Sequence, residues 1–582
     1  MRHLTWFLTL FFLPFSWQSF SQGFLKTEGI EIQNSKGENV LLKGIGLGGH
    51  MLQEGYMLRV PYSGQQYVIK EHIEELIGSE KTKSFYNAWL TNYTQKADID
   101  SLKSWGFNSV RLPMHYNLFT PSVEDEPVSG ENNWIEKGFK LTDSILSWCK
   151  ANKIYLILDM HATPGGQGHD VNISDRNPAK LSLWESPENQ KKLIALWKKI
   201  AKRYSEETWI GAYDIINEPN WSFEKKKNKN GIEDEKNKPL KKLMVEITKA
   251  IREVDKNHII IIEGNGWGNN YNGIMPPWDN NMVLSFHKYW NFNNKAAIKQ
   301  ILDFREKYEI PIWLGESGEN SNTWFTDAIS LMEENNIGWC WWPLKKMGFN
   351  NPLEIKVNKG YQEILEYWNG NAKKPSEKAA YKAFMQLAEN TKIENNIFHK
   401  DVVDAMIRQP HSTEVIPFKE TIVDKKAQIK AADYDFGKNG VAYSDKKVAN
   451  YHISTGEDRS SWNDGYTYRN DGVDIFRKEK SKKYNDVYVG DFEEGEWLRY
   501  SFTVKKPAIY QIRFKISSSV KSRALVLLND KEIGSITNSN ISEEWSLVNL
   551  DNIKISRKSN YLKIKSLEGN FKLESIEINL NE

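Results

Sequence analysis

The stretch GAYDIINEP, residues 211 to 219, begins as an apolar run and ends in Asn217 and Glu218 before a proline. A second run, PIWLGESG from 311 to 318, repeats this pattern with Glu316. Short continuous apolar runs are typical of strands that are buried on both faces of a parallel sheet. The sequence therefore predicts two such strands, each with a carboxylate at its carboxyl end.

Eight runs of this kind are found between residues 41 and 344. They are LLKGIGLGG (41–49), NSVRLPMH (108–115), IYLILDMHA (154–162), GAYDIINEP (211–219), HIIIIEGNGW (258–267), MVLSFHKYW (282–290), PIWLGESG (311–318) and IGWCWWPL (337–344). The intervening segments have helical periodicity, as in ENQKKLIALWKKIAKRYSEE, where Leu193, Trp197, Ile200 and Tyr204 share one face. Eight alternating units in about 300 residues predict a (β/α)8 TIM barrel, an α/β fold.

The predicted barrel places both glutamates in one cavity, because chemistry in such barrels lies at the carboxyl ends of the strands. Two carboxylates across a cleft divide acid and nucleophile roles when their surroundings separate their pKa values. In glycoside hydrolysis, the protonated one donates to the leaving oxygen. The ionised one attacks the anomeric carbon when the carboxyl groups are about 5 to 5.5 Å apart.

The motifs RLP, LDMH, INEP, FHKY and GES, followed by the Trp-rich eighth run, resemble glycoside hydrolase family 5 over about residues 25 to 390. The resemblance implies a retaining double displacement, with Glu218 as acid/base and Glu316 as nucleophile, and no metal or organic cofactor. It implies six supporting residues: Arg111 beside the nucleophile, His161 and His287 in the polar floor, Asn217 at the sugar 2-hydroxyl, Tyr289 as donor to the nucleophile, and Trp342 as the platform under the cleaved sugar.

From about residue 428 the pattern changes to alternating strands such as EWLRYSFTV (496–504), which predict an all-β, jelly-roll-like sandwich. The stretches DYDFGKNGVAYSD, YRNDGVDI and VGDFEEGEWLRYSFTV resemble carbohydrate-binding modules of family 6. Tyr443 and Trp545 are the candidate sugar contacts of this module. The alternative is a sandwich that packs on the barrel or binds a glycan through another face.

The first residues, MRHLTWFLTLFFLPFSW, predict a secretory signal, because Arg2 and His3 precede an apolar stretch that is too short to span a bilayer. We therefore expect a secreted or periplasmic protein without a membrane span. The predicted organisation is a signal peptide (1–21), a barrel domain (22–390), a linker or packing arm (391–427) and the β-sandwich (428–582).

The composition narrows the range of partners. The net charge of +2 argues against a nucleic-acid surface, whereas the 22 tryptophans suit flat sugar rings. We expect Cys149 and Cys340 to be buried thiols rather than a disulfide, and we expect a monomer. The sequence contains no Cys/His cluster with metal-ligand spacing.

These observations predict a secreted, retaining endo-β-1,4-glucanase of the cellulase type that acts on a β-glucan polysaccharide or oligosaccharide. An exo- or endo-β-1,3-glucanase is an alternative, because GIGLGGHMLQEGYML and WWPLKK also resemble the exo-β-1,3-glucanase branch of the family. A mannan-active enzyme is another. A non-catalytic glycan-binding protein is the alternative from a different class, and the intact carboxylate pair argues against it.

Overall fold

A computed structural model describes residues 23–479, 483–538 and 542–581, so the predicted signal peptide lies outside the described residues. Eight parallel strands form a closed barrel. We number them β1 to β8 in chain order: Lys43–Gly46, Ser109–His115, Tyr155–Ala162, Ile210–Asp214, Ile259–Glu263, Met282–Lys288, Ile312–Gly318 and Gly338–Trp342.

The strand order confirms the predicted TIM barrel. Each strand pairs with the next in the chain, and β8 closes the barrel on β1 with Trp341 opposite Ile45. All seven residues of β2 and of β7 are buried, as expected of strands covered on both faces.

Helices surround the barrel and follow the predicted pattern. The helix Pro187–Tyr204 buries the predicted face, including Leu193 and Trp197, and the Ser186 hydroxyl caps its first turn. A helix that follows the eighth strand spans Glu377–Asn390. The α-helices are Gln66–Ile77, Ser79–Asn92, Lys96–Trp105, Glu136–Asn152, Val171–Ser174, Pro187–Tyr204, Lys238–Arg252, Asn265–Gly268, Lys299–Tyr308, Asn322–Glu334, Lys359–Trp368, Glu377–Asn390, Lys400–Ile407 and His452–Thr455.

Short strands lie outside the barrel and the sandwich. Lys26–Glu28 and Glu31–Gln33 form an antiparallel pair. Lys345–Lys346, Leu353–Glu354 and Ile397–Phe398 form a three-stranded sheet next to the end of β8.

Two six-stranded sheets form the predicted all-β region, and they share one hydrophobic core. One sheet contains Ile422–Val423, Tyr443–Ser444, Trp497–Val504, Ser522–Leu528, Lys531–Asn538 and Ser559–Glu568. The other contains Lys426–Lys430, Ile475–Arg477, Val487–Phe492, Ala508–Ser518, Ser542–Ile555 and Phe571–Leu580.

The segment between the two domains is folded onto the barrel. Its helix Lys400–Ile407 buries Val402 and Met406 in the barrel core, which fits a packing arm better than a free linker. The sandwich sheets begin with Ile422–Val423, slightly before the expected boundary at residue 428.

Two further expectations concern the thiols and the membrane. Cys149 and Cys340 are both free and buried, as predicted. Among the described residues, we find no helix with the length and apolar character needed to cross a bilayer.

Candidate active site

Glu316 lies in the second half of β7, and both of its carboxylate oxygens are held by donors. Arg111, which lies on β2, donates from Nη1 to Glu316 Oε2 at 2.9 Å. The Tyr289 hydroxyl, just past the end of β6, donates to Oε1 at 2.8 Å. The two donors fix the orientation of the Glu316 carboxylate.

Arg111 is fully buried and lies among several acceptors. Its Nη2 donates to Asp214 at 2.8 Å, to Glu263 at 3.0 Å and to Asn217 Oδ1 at 2.7 Å, and Nη1 lies 3.3 Å from Asp159. Burial would lower the pKa of Arg111, but the surrounding carboxylates raise it above its ordinary value. The guanidinium therefore stays charged. It joins β2, on which Arg111 lies, to residues in or just after β3, β4, β5 and β7.

Glu218 follows β4 in a left-handed backbone conformation with φ of 40°. This conformation is unusual for a residue other than glycine and is held by a hydrogen bond from the Glu218 amide to Glu263 Oε2 at 2.7 Å. Glu218 is 6% exposed, and burial raises the pKa of its carboxyl group to about 7 even though His287 acts in the opposite direction. Glu218 can therefore hold a proton near neutral pH.

His287, near the end of β6, lies between two carboxyl groups. Its Nδ1 is 2.6 Å from Glu218 Oε1, and its Nε2 is 3.2 Å from Glu263 Oε1. Burial would lower the pKa of His287, but Glu263, Glu316 and Glu218 raise it above its ordinary value. Burial would raise the pKa of Glu263, but His287 and Arg111 lower it to about 2. His287 and Glu263 thus form a buried ion pair beside Glu218.

The two candidate catalytic carboxylates lie close together. One side-chain atom each of Glu218, His287 and Glu316 lies within 4.8 Å of the others. Carboxyl groups about 6.5 to 9.5 Å apart leave room for a water molecule between acid and base, whereas about 5 to 5.5 Å suits covalent attack. This spacing favours the retaining arrangement. By spacing alone the three side chains could also hold a metal ion, although Arg111 and Tyr289 already bind Glu316.

Trp342 is the last residue of β8. It stacks on His161 with ring centroids 5.1 Å apart and an interplanar angle of 4°. Burial would lower the pKa of His161, but the neighbouring Asp159 raises it to about 10, so this ring is cationic. Trp341 points the other way, into the core against Phe325, so of the two tryptophans it is Trp342 that lies beside His161.

Asn217 lies between Arg111 and His161. Its Oδ1 accepts from Arg111, and its Nδ2 lies 3.3 Å from His161 Nε2. The structure therefore brings together all eight residues that the family 5 resemblance assigned to the barrel.

Glu54 is a site residue that the sequence analysis missed. It lies in the loop after β1, and its Oε1 is 3.7 Å from His161 Nε2. Burial raises the pKa of Glu54 to about 7. The available signal was a lone glutamate in the apolar stretch GHMLQEGYML, directly after the first strand.

A separate aromatic group lies on the Glu218 side of the site. Trp221 stacks on His169 with centroids 4.0 Å apart. Trp267 donates its backbone amide to the Pro219 carbonyl at 3.1 Å, which places it beside Glu218. Both tryptophans are partly exposed.

The two candidate sugar contacts of the sandwich, Tyr443 and Trp545, differ in their exposure to solvent. Tyr443 is 1% exposed and lies against Tyr434 and Asp471, so it has no free face and the prediction of a sugar platform there is wrong. Trp545 is partly exposed and packs edge-on against Tyr488, 5.4 Å away. Its role in sugar binding stays a prediction.

Comparisons with known proteins match the part of the chain that contains this site. Residues 69–348 match the family model of cellulase, glycosyl hydrolase family 5. A beta-xylosidase of Phanerodontia chrysosporium is 25% identical over 379 residues, which cover 59% of this chain and 75% of that protein. Endoglucanase C of Acetivibrio thermocellus is 27% identical over 330 residues, 46% of this chain and 88% of that protein.

A third relative covers less of both chains. A probable glucan 1,3-beta-glucosidase A of Aspergillus niger is 24% identical over 183 residues, 31% of this chain and 41% of that protein. The family match lies within the barrel domain, and the resemblance of the sandwich to family 6 modules stays a prediction. Residues 69–348, which contain β2 to β8 of the barrel, thus match glycosyl hydrolase family 5.

Proposed function

We propose that the protein is a retaining β-glycoside hydrolase whose substrate is a β-1,4-linked glucan. The observation that carries the proposal is the close approach of Glu218 and Glu316, within 4.8 Å, in contrasting surroundings. Glu218 is buried against His287 with its pKa raised to about 7, whereas Glu316 receives hydrogen bonds from Arg111 and Tyr289.

The proposed reaction has two steps, glycosylation of Glu316 and hydrolysis of the resulting glycosyl ester. Glu316 forms a bond to the anomeric carbon while the glycosidic bond breaks, and Glu218 gives its proton to the leaving oxygen. Water then attacks the anomeric carbon of the glycosyl ester, Glu218 takes the proton of that water, and the bond to Glu316 breaks.

The change of role at Glu218 has an electrostatic cause. The negative charge of Glu316 is one of the influences that raise the pKa of Glu218. Formation of the ester removes that charge, so the ionised form of Glu218 becomes easier to reach. Glu218 is then available as a base for the second step.

The choice of glucan follows the sequence prediction and the names of the relatives, which include an endoglucanase and a probable glucan 1,3-beta-glucosidase. Cleavage at chain ends is a second candidate beside internal cleavage. The enclosure of the site favours it, because Glu218 and Glu316 are each 6% exposed and Trp342 is 4% exposed. Secretion through the signal at residues 1–21 belongs to the same proposal.

Product analysis tests the proposed function. We expect the purified protein to release reducing sugar from barley β-glucan or carboxymethyl cellulose, and laminarin and glucomannan separate the alternative linkages. Glu316→Ala should abolish the release. A purified wild-type protein that binds these glycans and hydrolyses none would support the non-catalytic alternative instead.

A further inference from the structure

A loop of the sandwich domain, residues 445–470, reaches the rim of the barrel next to the active site. The Ile453 amide donates to the Trp290 carbonyl at 3.2 Å, and the Ser454 hydroxyl accepts from the Phe292 amide at 2.8 Å. The His452 ring lies 5.0 Å from the ring of Trp290. Trp290 directly follows Tyr289, the donor to Glu316. The loop therefore contacts the strand end that positions the candidate nucleophile.

Buried asparagines hold this loop in place. Asn320 Nδ2 donates to the Asn450 carbonyl at 2.8 Å, and the Asn450 amide donates back to Asn320 Oδ1 at 3.0 Å. Asn470 Nδ2 donates to the Asn320 carbonyl at 2.9 Å, and the Asn322 amide donates to the Asn470 carbonyl at 2.8 Å. All four asparagines are buried. Asn320 lies four positions after Glu316 in the chain, so the sandwich is fixed directly to the catalytic strand end.

Arg459 is the charged group that the loop presents at the rim. Its guanidinium lies over the Trp290 ring, 4.2 Å from the centroid, and its Nη2 lies 3.8 Å from Glu319 Oε2. The Arg459 side chain is 59% exposed, so it is positioned but open to solvent.

Glu319 continues this line of contacts toward the platform. Its carboxylate interacts with the Tyr56 hydroxyl, which accepts from Trp342 Nε1 at 2.8 Å. Tyr56 is 44% exposed. A row of polar and aromatic groups, Arg459, Glu319, Tyr56 and Trp342, therefore runs from the sandwich to the site.

A second residue of the loop flanks this row. Tyr466 is 53% exposed and packs edge-on against Phe349, with centroids 4.7 Å apart, in the segment that follows β8. Glu319 and Arg459 are both close enough to Tyr466 to act on its hydroxyl electrostatically. The sandwich thus contributes one cation and one open aromatic ring to the same side of the rim.

We propose that Arg459 and Tyr466 of the sandwich form a sugar-binding subsite on the glycone side of the cleaved bond, next to the sugar that rests on Trp342. This proposal rests on the proposed glycosidase function. The side follows from the geometry: the row ends on Trp342, whereas the leaving group departs toward Glu218, where Trp221 and Trp267 lie.

The chemistry of the row fits a neutral sugar. Arg459 and Glu319 have opposite charges and lie together, so the pair offers donors and acceptors to neighbouring hydroxyls without a net charge. The open faces of Tyr56 and Tyr466 suit the flat C–H faces of a pyranose ring. In this proposal the sandwich domain lines one side of the substrate-binding cleft.

Chain-length dependence of hydrolysis tests the subsite. The measured quantity is kcat/KM of the purified full protein for aryl β-glucoside, with one sugar, and for aryl β-cellobioside and β-laminaribioside, with two. For Arg459→Ala and Tyr466→Ala we expect a loss of about 10-fold or more on the two-sugar substrate that the wild type prefers, as for one lost hydrogen bond to a charged group. The one-sugar rate should stay within about 2-fold.

The matched control is Arg523→Ala, an exposed arginine on the sandwich strand Ser522–Leu528. It should leave both rates unchanged. Equal losses on one-sugar and two-sugar substrates, or no loss on either, would overturn the subsite while leaving the glycosidase function intact. A wild-type protein that hydrolyses none of these substrates would overturn the proposed function, and the subsite with it.

Discussion

Glu218 and Glu316 carry the same functional group in different surroundings, and this difference is what the mechanism requires at the scale of single residues. Glu218 lies next to His287, whereas Glu316 accepts a hydrogen bond from Arg111 at 2.9 Å. Asn217 accepts from Arg111, Tyr289 donates to Glu316, and Trp342 stacks on His161. Their catalytic roles stay predictions until variants are measured.

Glu218→Gln removes the proton that the leaving group needs. We expect hydrolysis of substrates with alkoxide leaving groups to slow about 10²- to 10⁴-fold, the usual contribution of general acid catalysis. A dinitrophenyl leaving group needs no proton, so its glycosylation step should be much less affected. Pre-steady-state rates with both kinds of substrate check the prediction. Equal losses on both would show that Glu218 acts in another way.

The pH dependence of kcat/KM should report the same group. Burial raises the pKa of Glu218 to about 7, and the protonated form is the active acid, so activity should fall as the pH rises through about 7. Burial also raises the pKa of Glu54 to about 7, which makes Glu54→Gln the matched control. The fall should persist in Glu54→Gln. If Glu54→Gln removes it, the assignment of this ionisation to Glu218 is wrong.

At the scale of elements, the end of β8 is shaped by a close approach to the segment after β1. A β-carbon added at Gly48 would lie 2.5 Å from the Trp342 ring, well inside van der Waals contact. Trp342 cannot move away freely, because it stacks on His161 and donates to Tyr56. Glycine at position 48 therefore leaves the space that the Trp342 ring occupies.

Gly48→Ala should displace the platform while the protein stays folded. We expect kcat/KM to fall by up to about 100-fold, the loss associated with a misplacement of about 1 Å in an active site. Kinetics with aryl glycosides, together with circular dichroism as the test of folding, check the prediction. A folded Gly48→Ala protein with wild-type activity would show that Trp342 does not support the substrate.

The eight barrel strands could be predicted because each lies in a short apolar run, and several of these runs end in polar residues, as in LDMH and INEP. The close approach of Glu218 and Glu316 could be predicted because parallel strands end at one rim. Glu54 was missed because its loop carries no strand pattern. Tyr443 was misassigned because its burial depends on Asp471 and on Thr323 of the barrel, which are distant in sequence.

At the scale of the whole molecule, the barrel and the sandwich are joined by buried hydrogen bonds. The Asn470 side chain donates to the Asn320 carbonyl and to Asn322 Oδ1. The Asn470 backbone amide donates to Asp401 Oδ2 at 2.7 Å. Composition and periodicity locate two domains but carry no information about which loops meet. This is why the contact between the loop 445–470 and the active-site rim could not be predicted.

Asn470→Ala should weaken this junction. Leaving buried partners unsatisfied costs about 1 to 3 kcal/mol, so we expect a lower free energy of unfolding in urea. Asn549→Ala, at an exposed position of the strand Ser542–Ile555, is the control and should have little effect. An Asn470→Ala protein as stable as the control would show that the junction contributes little to stability.

Trapping of the covalent intermediate tests the central claim most directly. A 2-deoxy-2-fluoro-β-glycoside with a good leaving group should inactivate the protein, and mass spectrometry of the digested protein should locate one glycosyl group on Glu316. Hydrolysis that proceeds without any adduct and gives a product of inverted anomeric configuration, or an adduct on another residue, would contradict the account.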